Sequence, residues 1–141
     1  MEIGSVLTLA INADRCDRLL LGSSDAPSAL RELLALARAS GTCAVHPASN
    51  SGERLVGALL LTAAGELHLW ECTSGEPVLV IDGVVASTAG LQRAMDLVRS
   101  EGATEVRGAA IAYGPAVQGP DTVATSDVTL IGLSLREFSA A

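Results

Sequence analysis

The sequence predicts an α/β fold: a parallel sheet of four or five strands, helices on its faces, and a β-hairpin inserted into that core. Three observations carry the prediction. Short aliphatic runs alternate with stretches whose apolar residues recur at helical spacing, which is the pattern of strand–helix–strand units with right-handed crossovers. Glycines stand where those helical stretches stop, at Gly41 and Gly102. Finally, Val78-Leu79-Val80-Ile81 is unbroken aliphatic sequence, as expected of a strand covered on both faces.

In order along the chain, Arg18 to Gly22 is a short apolar run that reads as a buried strand. Ser23-Ser24-Asp25-Ala26-Pro27 is turn and helix-start chemistry, because a hydroxyl or carboxylate accepts first-turn N–H groups and proline has no N–H to lose. Leu30, Leu33, Leu34 and Ala37 then mark a helix. Thr42 to His46 reads as a strand and 47–53 as a polar loop. Leu55 to Thr62 and Glu66 to Cys72 read as the two arms of the hairpin, joined by Ala63-Ala64-Gly65. By alternation, His68, Trp70 and Cys72 share one face of the second arm, opposite Leu67 and Leu69. After the turn Thr73 to Pro77 comes the aliphatic strand, ending at Asp82-Gly83. Leu91, Ala94, Met95 and Val98 mark a second helix, Val106 to Ala112 a strand, Gly114 to Pro120 a loop, and Val128 to Leu135 a final strand. No repeat or linker divides residues 1–141, so the chain reads as a single domain.

Composition bounds the function. At 49% hydrophobic residues the chain can bury a real core, which excludes intrinsic disorder, and three cysteines are too few for a disulfide scaffold. Nine arginines, no lysine and 16 acidic residues leave a net charge of −7. Binding to nucleic acid requires a basic face that neutralises phosphates, and the three aromatics, Trp70, Tyr113 and Phe138, are few for base stacking, so no nucleic-acid partner is expected. No stretch of about 18 apolar residues occurs and no basic run precedes the first apolar stretch. The expectation is a cytoplasmic protein without membrane association, its Cys16, Cys43 and Cys72 free thiols.

In parallel sheets ligands sit beyond the carboxyl ends of the strands, so the strand-to-helix junctions 22–28 and 82–90 draw attention. The second, Val78-Leu79-Val80-Ile81-Asp82-Gly83-Val84-Val85-Ala86-Ser87-Thr88-Ala89-Gly90, resembles the signature of the type I phosphoribosyltransferases: an aliphatic strand, two acidic residues, two aliphatics and a small hydroxylated loop that opens a helix. Ser100 to Val106 is similar to that family's helix end and next strand, and Leu19 to Asp25 stands where the family has its pyrophosphate loop. The resemblance implies a phosphoribosyltransferase-like core, with Asp82 contacting the ribose hydroxyls or a bridging Mg²⁺. It implies that Ala86, Ser87, Thr88, Ala89 and Gly90 cradle a 5′-phosphate, and that Gly22, Ser23 and Ser24 hold a pyrophosphate. By the same analogy, the partner is a phosphorylated ribose and the assembly a homodimer. The physics agrees at the loop, since a helix N-terminus offers unpaired N–H groups and a partial positive charge.

The departures from the family are equally specific. Gly83 stands in place of the second acidic residue, Ala86 in place of a threonine and Thr88 in place of a glycine. The catalytic-loop cations have no counterpart beyond Arg54. The expected function is therefore binding of a ribose phosphate or phosphoribosyl pyrophosphate-like ligand with weak or no catalysis. One alternative is an active, Mg²⁺-dependent phosphoribosyl transfer to a nitrogenous base, within nucleotide metabolism. The other is a regulatory or scaffolding domain acting through a protein partner. Blander roles are available to the same residues: Ser23, Ser24, Asp25, Ser87 and Thr88 are all good helix caps, and Asp82 suits a turn. Cys43 with His46 and His68 with Cys72 supply the donors of a tetrahedral zinc site, although strand alternation puts Cys43 and His46 on opposite faces.

Overall fold

A computed structural model of the protein describes residues 26–63, 65–71, 75–85, 88–112 and 127–132. Its elements are α1 (Ala26–Ala39), β1 (Ala44–Pro47), α2 (Asn50–Thr62), β2 (His68–Leu69), β3 (Pro77–Val85), α3 (Ala89–Ser100), β4 (Glu105–Ala112) and β5 (Val128–Gly132). The strands form one sheet in the order β2-β1-β3-β4-β5, and every pairing is parallel.

The two faces of this sheet are separate cores. Val45, Leu79, Ile81, Ala109, Ile111 and Ile131 point to one side and pack with Ala29, Leu33 and Ala37 of α1 and with Leu55, Val56 and Leu59 of α2. Ala44, Val78, Val80, Val106, Ala110 and Val128 point to the other and pack with Leu91, Met95 and Val98 of α3. Successive side chains of one strand feed opposite cores, which is why the central strands are aliphatic throughout rather than alternating. Trp70 joins the α3 side and Leu67 the other, in line with the alternation read from the sequence. Gly108 lets α3 lie close to β4, since a Cβ there would meet the Met95 sulfur at 2.6 Å.

Several sequence expectations hold. The helix over 26–39 buries the apolar positions at helical spacing and ends at Gly41, whose φ of 67° few other residues adopt. α3 ends likewise before Gly102, at φ 111°. The strands at 44, 77, 105 and 128 all form.

The hairpin does not form. The segment read as its first arm, Leu55 to Thr62, lies within α2, and the 47–53 loop is the end of β1 followed by the first turn of that helix. Ser49 is the N-cap, accepting from Gly52 N–H at 3.2 Å, and Glu53 places a negative charge at the positive end of the helix. The buried residues Gly52, Leu55, Val56 and Leu59 recur at i, i+3, i+4 and i+7. Leucine favours the helix, and packing of that stripe against α1 and the sheet outweighs the β tendency of Val56. The second arm is reduced to His68–Leu69 and runs parallel to β1, with Ala44 opposite His68, so α2 is the crossover of a βαβ unit.

The Arg38 side chain ties the last turn of α1 to the turn after α2 through a forked pair with Glu66, both N···O distances 2.7 Å. Those hydrogen bonds, more than the charge itself, hold the Glu66 carboxyl below its ordinary value of 4.5. A depressed carboxyl value means the pair stabilises the fold above pH 4.5 and is lost as pH falls through the lower folded value. Both partners lie in solvent, so the effect is small. Thermal melts of the protein and of Glu66→Gln should differ slightly at pH 7 and draw together as pH falls below 4.5 through the lowered folded value; an offset that does not shrink in acid would dismiss the linkage.

Candidate functional site

The chain leaves β1 for β2 on one side and returns to β3 on the other, so the strand order reverses between β1 and β3. The helices that follow these two strands therefore lie on opposite faces, α2 on one and α3 on the other. Their N-termini stand at the carboxyl ends of β1 and β3, the position where doubly wound sheets bind ligands.

Asp82 lies at this junction. β3 runs past it to Val85, whereas the sequence suggested a strand ending at Asp82-Gly83. Ile81 pairs with Ala109 and Val84 with Ile111, so one extra residue enters β3 at Asp82-Gly83. Such an irregularity interrupts the strict alternation of side chains. Asp82 is 6% exposed, and its Oδ1 accepts from the Ser49 hydroxyl at 2.5 Å, from Gly83 N–H at 2.9 Å and, at a longer 3.4 Å, from the Ser51 hydroxyl. Ser49 and Ser51 also lie 3.2 Å apart. The junction is closed by Ala48 N–H donating to Ile81 C=O at 2.9 Å. It is also closed by Gly52, where a Cβ would stand 2.3 Å from that same carbonyl oxygen. Only a glycine lets the first turn of α2 lie directly on the backbone of β3.

The start of α3 lies beyond the carboxyl end of β3. Thr88 is its N-cap residue and is 3% exposed, yet its side chain makes no capping hydrogen bond; its Oγ1 accepts from the Gln92 amide at 3.2 Å instead. No acidic residue occupies the first turn. The Arg93 guanidinium lies back toward that turn, 3.9 Å from where a Cβ on Gly90 would stand.

Of the residues singled out from the sequence, Asp82 lies near the carboxyl end of β3, and Thr88, Ala89 and Gly90 at the start of α3. Ala86 and Ser87 lie outside the described residues, as do Gly22, Ser23, Ser24, Asp25, the 18–22 run, Tyr113 and Phe138. The sequence reading missed Ser49, Ser51 and Gly52. Their signal was present as Ser-Asn-Ser-Gly-Glu before a helical stripe, which is N-cap chemistry after a strand. The proposed zinc donors do not converge. His46 stands edge-on to Trp70 with ring centroids 5.8 Å apart, His68 Nε2 pairs with Glu76 Oε1 at 2.6 Å, Cys43 is exposed, and Cys72 lies outside the described residues. Among the described residues no group of three or more His, Cys, Asp or Glu side chains could hold a metal ion.

The donor set bears on Mg²⁺ as well. Mg²⁺ sites favour one or two carboxylates with an open oxygen, completed by water and substrate phosphates. Here Gly83 supplies no second carboxylate, and one oxygen of Asp82 already takes three donors. Asp82 Oδ1 is thus occupied by protein donors, and Asp82 is the one buried carboxylate this junction offers among the described residues.

Fold and site together define a class: a doubly wound parallel α/β domain with a buried carboxylate, the only one among the described residues, at the switch point beside two helix N-termini. Against protein-family models, curated proteins and solved structures, the chain has no match. Among the described residues no helix is long and apolar enough to cross a membrane.

Proposed function

We propose that the chain is a phosphoribosyltransferase-like domain that binds a phosphorylated ribose at the carboxyl ends of β1 and β3, with weak or no catalysis. The observation that carries the reading is Asp82: a buried carboxylate at the strand-order reversal, held by the first turn of the neighbouring helix. A carboxylate in this position accepts from the vicinal hydroxyls of a sugar. The start of α3 suits the phosphate end of the same ligand. An arginine near the positive end of a helix, with no acidic residue in the first turn, is an arrangement that an anion relieves. The sequence resemblance at 78–90 points to the same two roles. The missing second carboxylate at Gly83 is what weighs against turnover.

Isothermal titration calorimetry with ribose 5-phosphate and with phosphoribosyl pyrophosphate tests the proposal. Saturable binding of either in the micromolar range, lost in Asp82→Ala, is the expected result. No heat from either up to millimolar ligand, a binding free energy weaker than about −4 kcal/mol, refutes it. Thr88→Gly provides a second check. Removing a buried side chain at the start of α3 should raise affinity several-fold by letting the phosphate approach the backbone. Unchanged or weaker affinity would mean that this loop is purely structural.

A further inference from the structure

Resting on the proposed ribose phosphate reading, we infer that Ser49 and Ser51 are positioning residues that leave Asp82 one oxygen for its ligand, Oδ2. The sugar selected is then one whose two adjacent hydroxyls lie on the same face of the ring. Asp82 is 6% exposed, and its two oxygens differ. Oδ1 is taken by the protein: the Ser49 hydroxyl donates to it at 2.5 Å, Gly83 N–H at 2.9 Å, and the Ser51 hydroxyl reaches it at 3.4 Å. A carboxylate oxygen has about two lone-pair sites, so three donors leave no room for a fourth. Among the described residues nothing donates to Oδ2. Nor is Oδ2 sealed in the core, because the one buried side-chain nitrogen or oxygen left without a partner among the described residues is Arg107 Nε. Oδ2 is therefore both unspent and reachable, the two properties that a ligand acceptor needs.

The carboxylate is held in this setting. Ser49 is itself fixed, since its hydroxyl accepts from Gly52 N–H as the cap of α2, and Gly52 sits directly on the Ile81 carbonyl. Rotating the carboxyl so that both oxygens faced a ligand would break the bonds to Ser49 and Gly83. Stereochemistry follows from this. A carboxylate with two open oxygens takes two hydroxyls side by side, one on each. A single oxygen must receive both, one on each lone pair, and only hydroxyls on the same face of a five-membered ring converge on one point. Ribose carries such a pair at C2 and C3. Arabinose, inverted at C2, directs the two to opposite faces and delivers one; 2-deoxyribose has one to give.

Calorimetry of the whole chain with ribose 5-phosphate, arabinose 5-phosphate and 2-deoxyribose 5-phosphate decides the matter. Ribose 5-phosphate should bind tightest, with the other two each about tenfold weaker and close to one another, because each has lost one hydrogen bond to a charged acceptor. In the double variant Ser49→Ala/Ser51→Ala, Oδ1 is released and the gap between ribose and arabinose phosphates should close. Ser49→Thr keeps the hydroxyl and should keep the gap. The readout is a ratio between two ligands on one folded protein, which a merely structural role for the serines would not move. Should loss of the cap unfold the double variant, the parent ratios decide alone, since a one-oxygen acceptor separates ribose from arabinose as far as from 2-deoxyribose. Arabinose 5-phosphate bound as tightly as ribose 5-phosphate, or a gap that survives in a folded double variant, overturns the inference while leaving the ribose phosphate reading standing. Absence of binding by all three sugars overturns both.

Discussion

Gly52→Ala should destabilise the domain by about 3 kcal/mol, lowering Tm on the order of 10 °C. The added Cβ would stand 2.3 Å from the Ile81 carbonyl oxygen and 3.3 Å from the Asp82 Cα, and both of these are backbone atoms of the central strand. A flexible side chain could swing aside; a strand hydrogen-bonded on both edges cannot. The first turn of α2 must therefore lift, which strains the Ala48 N–H to Ile81 C=O bond and draws Ser49 away from Asp82. Gly57→Ala is the internal control. It lies in the same helix, a Cβ there meets nothing within 4 Å, and alanine is the better helix former by up to about 1 kcal/mol. The two variants should shift Tm in opposite directions. If Gly52→Ala melts with the parent protein, the close approach of α2 to β3 is wrong, and so is the site built on it.

Asp82→Ala should reduce ribose phosphate affinity by about 100-fold or more while leaving a folded domain. Two hydrogen bonds from sugar hydroxyls to a carboxylate account for that loss at about 1.5 kcal/mol or more each. The cost to the fold is smaller. Ser49 is exposed and Ser51 half-buried, and with their hydroxyls 3.2 Å apart they have each other and water as alternatives. The buried Gly83 N–H loses its acceptor, which sets the stability loss at about 1–2 kcal/mol. Melting curves and titrations on the same preparation separate the two effects. A variant that binds as well as the parent removes Asp82 from the site, and one that does not fold shows the carboxylate to be structural.

Much of the fold was legible because some segments are locally unambiguous. Val78 to Ile81 cannot face water on either side, and α1 and α3 carry single apolar stripes closed by glycines in left-handed backbone. The 50–62 segment was not of this kind. Leu55 to Thr62 is expected as a strand, yet Leu55, Val56 and Leu59 recur at helical spacing and leucine is a good helix former. What separates the two is the partner: α2 has a face of α1 and the sheet to cover, and a hairpin would leave Leu55, Val56 and Leu59 without that core. Strand β2 falls within the run expected over Glu66 to Cys72, but its parallel pairing with β1 was not legible, because that depends on where α2 delivers the chain.

The candidate site divides in the same way. The sequence alone marked Asp82 and the start of α3, because an acidic residue ending an aliphatic strand before a small, hydroxylated loop is a local signal. It did not mark Ser49, Ser51 and Gly52 as neighbours of Asp82, 30 to 33 residues away along the chain. By itself, then, the sequence determined the α/β class, the buried central strands, the helix stops and one pole of the site. Tertiary structure decided the second pole, through the strand order that sets β1 beside β3. The reason is physical: local signals record what one segment needs to bury or cap, whereas the identity of the neighbouring segment follows from the crossover that α2 makes and from a glycine small enough to let two backbones touch.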